Sequence, residues 1–373
     1  MHDTCTNCIL GKDDDPNIVF DDNGVCNYCI GLKNQLSNYS NSEENKLYLD
    51  NKISQIKRDG VKKKYDCVLG VSGGVDSTYL AYWAHQKGLR TLVVHFDNGW
   101  NSELAVKNIQ NICDILNFEL YTVVINWEEF KSLQLAYLKA GVVDIEVLTD
   151  HAIFSTLLDL TSKYKIKYSL NGYNFATEGI MPRNWVFDKY DFININDINN
   201  KYGTGVIKNY PHLTIYKKLY FRFIKKIESV HVLNYLSYNK QEVKELISEK
   251  LNWIDYGGKH YESLFTKFYQ AYILPVKFGI DKRKAHLSSL IVSGQISRAM
   301  AFEEIKKSFY ENESVFKSEK QYVLKKLGLK EKELDEYMKG PIRMHTDFKT
   351  EKKFWEVYFK ILKISKFWNK IKA

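Results

Sequence analysis

Val68-Leu69-Gly70-Val71-Ser72-Gly73-Gly74-Val75-Asp76-Ser77, followed by Thr78-Tyr79-Leu80-Ala81, decides the fold of this chain. The apolar run from Cys67 to Val71 predicts a short buried strand, and a tight polar turn follows it. A helix is then expected from about Ser77 to Gln86. Two adjacent glycines let the backbone take positive φ and bring its N–H groups close to an anion. The helix points the positive end of its dipole at the same spot, with Ser77 placed to cap it. Such a turn is built to hold phosphate. It lacks the spacing and the lysine of a Walker A loop, and it does not read GxGxxG. The plain alternative is a glycine turn that only joins strand to helix.

Outward from this turn, residues 67 to about 175 alternate strand and helix, which predicts an α/β fold with a doubly wound parallel sheet. Strands are expected at Thr91–Phe96, Leu120–Ile125 and Tyr168–Asn171, with helices over 102–116, 127–139 and 150–164. Ligands in such sheets gather outside the C-terminal strand ends. The turns at 72–77, 97–99 and 171–174 should therefore line one crevice.

Ser72-Gly73-Gly74-Val75-Asp76-Ser77 resembles the PP-loop of the ATP pyrophosphatase superfamily, whose fold is the adenine-nucleotide α-hydrolase-like one. Its members use ATP to place AMP on a carbonyl-type oxygen, which a nucleophile then displaces. The resemblance implies that Ser72, Gly73, Gly74 and Ser77 grip the pyrophosphate, that Asp76 faces Mg2+, and that Asp97 and Gly172 flank the adenosine. Asp97 and Gly172 also read as ordinary turn chemistry.

Four of the six cysteines lie at the start of the chain, as Cys5-Thr6-Asn7-Cys8 and Cys26-Asn27-Tyr28-Cys29. Two CxxC turns at this spacing read as a closed four-sulfur zinc cage, structural because no position is left open. Disulfides and an iron–sulfur centre are the other readings. Cys67 and Cys113 sit in strand and helix patterns and read as packing residues.

The remaining stretches are less sharp. Residues 31–64 predict one lysine-rich connecting helix ending near Gly60. Thr149 would cap the 150–164 helix, with Asp150 in its first turn; Asp150 and His151 either serve the helix or handle a proton over the crevice. Residues 178–235 are aromatic and basic, which suits nucleic acid or a membrane face, yet aromatics at helical spacing more often pack a core. Gly257-Gly258-Lys259-His260 is expected to open a helix, placing Lys259 and His260 at an anion-friendly terminus. Lys277, Asp281, Lys282, Arg283 and His286 then concentrate ionisable groups that suit a phosphate-rich substrate, or a solvated charged face.

A net charge of +9 over 373 residues suggests an anionic partner without choosing one. The start of the chain lacks the apolar core of a signal peptide, and no apolar run approaches the ~20 residues of a transmembrane helix. Cytoplasm is the expected setting, with no membrane insertion. The chain divides as a zinc-knuckle module (1–32), a connecting helix (33–64), a nucleotide-binding core (65–177), a substrate- and partner-binding region (178–340) and a basic aromatic C-terminal helix (341–373). No linker cuts it into independent units.

A narrower resemblance rests on Tyr256-Gly-Gly-Lys-His-Tyr-Glu-Ser263, Phe268-Tyr-Gln-Ala-Tyr-Ile-Leu-Pro275, Lys277-Phe-Gly-Ile-Asp-Lys-Arg-Lys-Ala-His-Leu-Ser288, Met181-Pro-Arg-Asn-Trp185, the cysteine pairs and the phosphate loop. Together these look like the N-acetyl sugar amidotransferases of surface-polysaccharide biosynthesis, which act in O-antigen and pseudaminic- or legionaminic-type sugar pathways. The resemblance implies conversion of the acetamido group of a nucleotide-linked sugar into an acetamidino group. It implies Asp76, Asp150, His151, Lys282 and Arg283 in catalysis, and Lys259, His260, Lys277, Asp281 and His286 on the substrate. Ammonia would come from glutaminase-like and cyclase-like subunits of histidine-biosynthesis type, with no stable nucleic acid partner. The rival is a tRNA thiolase, which needs a cysteine near the nucleotide; Glu146 to Ile153 contains none.

Overall fold

The computed structural model describes residues 3–39, 42–203, 206–258 and 261–371, with side chains to residue 361. Its five strands are β1 (Cys67–Val71), β2 (Thr91–Asp97), β3 (Leu120–Val124), β4 (Tyr168–Leu170) and β5 (Glu228–Val230). All pair in parallel, in the order β3-β2-β1-β4-β5. The order turns back beside β1, so the crevice at the C-terminal ends of β1 and β4 is where such a sheet places a ligand.

The helices begin with α1 (Asn27–Asn38), α2 (Glu43–Gly60), α3 (Val75–Gln86), α4 (Glu103–Leu116) and α5 (Trp127–Ala140). Next come α6 (Val147–Lys163), α7 (Phe175–Glu178), α8 (Phe192–Tyr202), α9 (Ile215–Leu219), α10 (Lys240–Leu251) and α11 (Leu264–Phe268). The chain ends with α12 (Lys282–Val292), α13 (Arg298–Lys306), α14 (Glu313–Leu327), α15 (Glu331–Lys339) and α16 (Lys352–Ile371). Two π-helical turns, Tyr220–Ile224 and Tyr269–Phe278, prolong α9 and α11.

The central strands are apolar on both faces because helices cover both. On one face Cys67, Leu69 and Val71 share a core with Leu80 of α3 and with Ile109 and Ile112 of α4. On the other, Val68, Leu92 and Val94 meet Leu160 of α6. A Cβ at Gly70 would lie 3.2 Å from Leu157 Cδ1, so α6 rests directly on β1. The expected parallel α/β fold with a mostly helical C-terminal part is what the chain forms.

Several boundaries differ from expectation. The connecting helix is two helices: α1 starts inside the second cysteine pair, where Cys26 Sγ accepts the N–H of Cys29, and Ser42 caps α2. α6 begins at Val147 with Glu146 at its cap position. Thr149 is thus not the cap; its hydroxyl accepts a bond from Asn98 Nδ2 at 3.1 Å. β5 has no counterpart in the sequence reading, because three residues beginning Glu228-Ser229 carry no strand periodicity. Among the described residues no helix is long and apolar enough to cross a membrane.

Cys5, Cys8, Cys26 and Cys29 close into one buried cluster with no disulfide. Their sulfurs all lie within 4.8 Å of one another, with Cys8–Cys26 at 3.7 Å and Cys5–Cys29 at 3.9 Å. Four sulfurs set tetrahedrally at ~2.3 Å from a zinc ion stand ~3.8 Å apart, so the cluster fits a structural zinc site. Backbone N–H groups of Asn7, Cys8 and Cys26 donate to Cys5 Sγ at 3.4, 3.4 and 3.2 Å, the bonds that favour thiolate. The knuckle is clamped to α12 and α13. Arg298 donates to the carbonyls of Cys5 and Cys8, both at 2.9 Å, and Lys284 pairs with Asp14 at 2.7 Å. The four cysteines also share a core with Trp185, Phe268 and Tyr269.

Metal analysis of the purified chain should therefore find about one zinc per molecule. Stripping it with a chelator should lower the melting temperature of the whole chain, since the cage is part of a shared core. A metal-free protein that melts unchanged, with all four thiols titratable, would contradict the assignment.

Candidate functional site

The phosphate loop turns on Gly73. Its φ is +80°, and a Cβ there would stand 2.5 Å from the carbonyl oxygen of Ala105 in α4. The Gly73 carbonyl points away from the crevice, accepting Trp253 Nε1 at 2.9 Å and Asn108 Nδ2 at 3.4 Å. Gly74 has φ −76° and caps α3, so only one of the two glycines uses positive φ. A Cβ on Gly74 would meet Ser72 Oγ at 3.1 Å and the Tyr256 hydroxyl at 3.2 Å, so space keeps this residue small.

Ser77 is not the helix cap expected of it, because α3 begins two residues earlier, at Val75. Its Oγ donates to the Gly74 carbonyl at 3.2 Å and accepts the Ser72 N–H at 3.4 Å, stapling the loop shut. The N–H groups of Gly73, Val75 and Ser77 have no acceptor among the described residues. Together with the dipole of α3 they form an anion-holding nest.

Asp76 is held from two sides: Asn174 Nδ2 donates to its Oδ1 at 3.1 Å, and the Tyr238 hydroxyl donates to the same oxygen. Gly172 lies against the first turn of α3, its would-be Cβ 3.5 Å from Ser77 N. The turns at 72–77 and 171–174 thus touch. The 97–99 turn joins them through His95, whose Nδ1 lies 3.3 Å from the Val71 carbonyl. Asn101 Nδ2 donates to His95 Nε2 at 3.1 Å, which fixes His95 as neutral with its proton on Nδ1. Burial pushes the His95 pKa down as well. Asp97 closes its own turn, accepting Gly99 N–H at 2.8 Å and Asn101 Nδ2 at 3.0 Å.

Residues 253–258 and 261–264 form another wall of the loop. Trp253 and Tyr256 reach Gly73 and Gly74, while Asn108 exchanges bonds with both backbone groups of Ile254, at 2.8 and 2.9 Å. The Glu262 carbonyl accepts the Ser102 N–H at 2.8 Å, and Leu264 N–H donates to Trp100 at 2.8 Å. Lys259 and His260 lie outside the described residues. The helix that follows does not open on them but at Leu264, capped by Ser263.

The cations downstream are occupied within the chain. Lys277 donates to the carbonyls of Tyr337 and Gly340, at 2.7 and 2.8 Å. Lys282 pairs with Glu146. Arg283 grips Asp281 at 2.7 Å, donates to the Lys307 carbonyl at 2.8 Å and lies 3.7 Å over the Phe309 ring. Asp281 caps α12, and His286 sits half-buried one turn along it. In this geometry the cluster fastens α12 to its neighbours. His151 is fully buried between Phe192 and Tyr210. Its Nδ1 faces the Lys189 carbonyl at 2.8 Å and its Nε2 accepts the Leu213 N–H at 2.9 Å. Burial pushes its pKa down to about 4. With both nitrogens occupied, the ring is not placed to move a proton. Asp150 pairs with Lys189 at 3.0 Å.

Beside the 171–174 turn, Tyr39, Tyr48, Tyr173, Phe175 and Tyr235 line an open cleft of about 170 Å³ along β5. Tyr48 stacks on Tyr235 at 4.8 Å, and Asn234 Oδ1 anchors the cleft by accepting the Phe175 N–H at 2.8 Å. Neither this cleft nor Tyr238, His95 and Asn108 was found in the sequence, whereas Asn174 lies in the 171–174 turn expected to line the crevice. Trp253 and Tyr256 also carried a signal, as aromatics flanking a glycine pair.

Substitution of Gly73 separates its two constraints. Gly73→Ala should cost ~2–3 kcal/mol and abolish nucleotide binding, since strain at positive φ and collision with Ala105 add. Gly279→Ala, at φ +67° with open space around it, should cost only the ~1 kcal/mol of backbone strain. Chemical denaturation of both variants, with nucleotide titration, checks the difference; equal costs would show that the close approach is unimportant.

Comparison with known proteins follows the same division. Residues 66–160 match the family of queuosine biosynthesis protein QueC, and residues 262–362 match the C-terminal domain of LPS biosynthesis protein WbpG-like proteins. A tRNA(Ile)-lysidine synthase of Chlamydia pneumoniae is 36% identical over 78 residues, 20% of this chain and 24% of that protein. A tRNA-specific 2-thiouridylase of Fusobacterium nucleatum is 26% identical over 189 residues, 48% of this chain and 49% of its own length. The chain thus spans about a quarter and about half of these two relatives. Among solved structures, NMN synthetase from Francisella tularensis aligns at 15% identity and a TM-score of 0.29, covering 64% of this chain and 89% of its own. The NH3-dependent NAD synthetase from Campylobacter jejuni aligns at 17% identity and 0.29, covering 56% and 86%. The chain thus joins a stretch similar to QueC, which holds the phosphate loop, to a stretch similar to the C-terminal domain of WbpG-like proteins.

Proposed function

We propose that this chain is an ATP-dependent amidotransferase that converts the N-acetyl group of a nucleotide-linked sugar to an acetamidino group. The observation that carries this reading is where the WbpG-like stretch begins. It starts at Glu262, whose carbonyl accepts the Ser102 N–H and whose Oε1 lies 3.6 Å from where a Cβ at Gly74 would stand, so the part of the chain that resembles LPS biosynthesis proteins begins beside the phosphate loop.

The chemistry accounts for the parts. An amide is a poor electrophile, and its oxygen leaves only once activated. The acetamido oxygen attacks the α-phosphorus of ATP, and the bond to pyrophosphate breaks. Ammonia then adds to the imidate carbon, the carbon–oxygen bond to AMP breaks, and a proton is lost to give the acetamidino product. The N–H groups of Gly73, Val75 and Ser77, at the head of α3, hold the departing pyrophosphate. Bound magnesium would add Lewis-acid neutralisation of its charge, with Asp76 as the facing carboxylate. Asn174 and Tyr238 orient that carboxylate. Asp97 and Gly172 border the adenosine, and the tyrosine cleft offers flat faces on which a sugar can pack.

The proposed ammonia source is a pair of separate subunits, glutaminase-like and cyclase-like, and the proposed setting is the cytoplasm. No cysteine is placed as a glutaminase nucleophile: four form the cage, and burial pushes the thiols of Cys67 and Cys113 up to about 12 and about 11. The same fact bears on the second reading, a tRNA thiolase, which the match to a 2-thiouridylase favours. Cys67 opens β1, at the far end of the strand from the loop, and a protonated buried thiol is not the thiolate nucleophile that sulfur transfer needs.

Purified chain given magnesium, ATP, ammonium and a nucleotide-linked N-acetyl sugar should form AMP and pyrophosphate in step with a lighter, cationic product. Asp76→Asn should slow this by ~100-fold or more, as loss of a charge-stabilising group does. Formation of ADP and phosphate, or AMP release only with tRNA and a sulfur donor, would sink the proposal.

A further inference from the structure

One surface of the chain is used by nothing above. α9 and its π-helical extension run beside the start of α16: Lys218 pairs with Glu351 and lies 5.5 Å over Trp355, and Phe223 meets Tyr358 at 6.4 Å. The sequence reading expects the aromatics of this run in a core. Phe221 is buried, but Tyr216 is 84% exposed, Ile224 70%, Phe223 47% and Tyr220 43%. On the adjoining helix Ile361 is 60% exposed, Val357 56%, Phe359 47% and Phe354 40%. Large apolar side chains from two touching helices thus share one open face, where single exposed ones need no explanation.

Charge is as one-sided as hydrophobicity. No acidic residue occurs between Ile215 and Ile227, nor after Glu356 to the end of the chain. Lys217 pairs with Asp159, but among the described residues no carboxylate lies within ion-pair distance of Arg222, Lys225, Lys226, Lys352, Lys353 or Lys360. The cations are interleaved with the rings: Arg222 stands 5.6 Å over Phe223, and Lys225 stands 5.4 Å over Tyr220. Rings and cations alone would suit a nucleic acid. Ile224, Val357 and Ile361 do not, because aliphatic side chains neither stack on bases nor pair with phosphates; they need an apolar medium. A second protein would have to supply apolar contact and a matching sheet of acid together. An anionic lipid interface supplies both in one plane, with phosphates at the height of the lysines and acyl chains beneath.

We propose that this face binds the surface of an anionic phospholipid bilayer. It lies on the membrane without crossing it, and the proposal is independent of the amidotransferase reading. Flotation of the full chain with vesicles decides it. The chain should rise with vesicles of mixed phosphatidylglycerol and phosphatidylcholine, stay down with phosphatidylcholine alone, and detach as salt is raised. Arg222→Ser with Lys225→Ser should weaken binding by about fivefold per cation removed, and Phe223→Ser with Ile224→Ser by ~10-fold or more. Both double variants change exposed or half-exposed side chains, so melting should be unaltered and confirms that they fold. Equal binding to neutral vesicles, no binding at all, or undiminished binding by folded variants would overturn the proposal. It also falls if the variants instead dissociate a dimer in light scattering or release bound RNA.

Discussion

Everything in the candidate crevice depends on the absence of a side chain at Gly73. The strand β1 must end, reverse and become α3 within a few residues, and α4 stands so close that its Ala105 carbonyl fills the place of a Cβ. Positive φ turns the Gly73 carbonyl out toward Trp253 and Asn108. The N–H groups that follow are thereby left facing the crevice, at the positive end of a helix dipole. Asp76, two residues into α3, is then within reach of Asn174 and Tyr238, which come from opposite flanks of β5 in the chain. The sheet alone does not complete this arrangement. The loop needs Trp253 and Tyr256 as its wall, so the phosphate site and the C-terminal half fold as one.

How much of this is legible before folding depends on the range of the interaction. The run Cys67–Val71 is bounded exactly where an apolar stretch meets Ser72-Gly73, and local signals of this kind are reliable. Ser77 is harder, because its hydroxyl reads equally as cap or staple until the start of α3 is known. Lys282 and Arg283 look alike as free charge in a sequence, yet Lys282 finds Glu146 across 136 positions and Arg283 finds Asp281 at two. His151 next to Asp150 suggests chemistry by adjacency, but its partners are the backbone of Lys189 and Leu213. Aromatic spacing in Ile215–Ile224 shows a helix without showing that no element covers it. β5 is invisible for a simpler reason: it is short, polar at its start, and a strand only because β4 offers it an edge.

The start of the chain is joined to α12 and α13 through the cysteine cage. A small knuckle of this kind has too little apolar surface to fold alone, and metal binding supplies part of its stability. Here Arg298 and Lys284 carry that order into α13 and α12, and the far end of α12 packs on α7 beside Asn174: Ser289 Oγ accepts the Ile180 N–H at 2.9 Å, and Ser293 donates to the Ala176 carbonyl at 2.9 Å. A cage suited to a structural metal at one end and the phosphate loop at the other are thus connected by packed helices. The same chain holds no exposed thiol among its described cysteines, which bears on any chemistry that would move sulfur.

The central claim is that ATP activates a carbonyl oxygen of the sugar and that this oxygen departs with AMP. The most direct measurement follows that atom. A nucleotide-linked sugar carrying heavy oxygen in its N-acetyl carbonyl is turned over with ATP and ammonium, and the AMP is weighed by mass spectrometry. The account predicts heavy oxygen in the AMP and none in pyrophosphate. Light AMP from a complete turnover, or label retained in the sugar product, would contradict it.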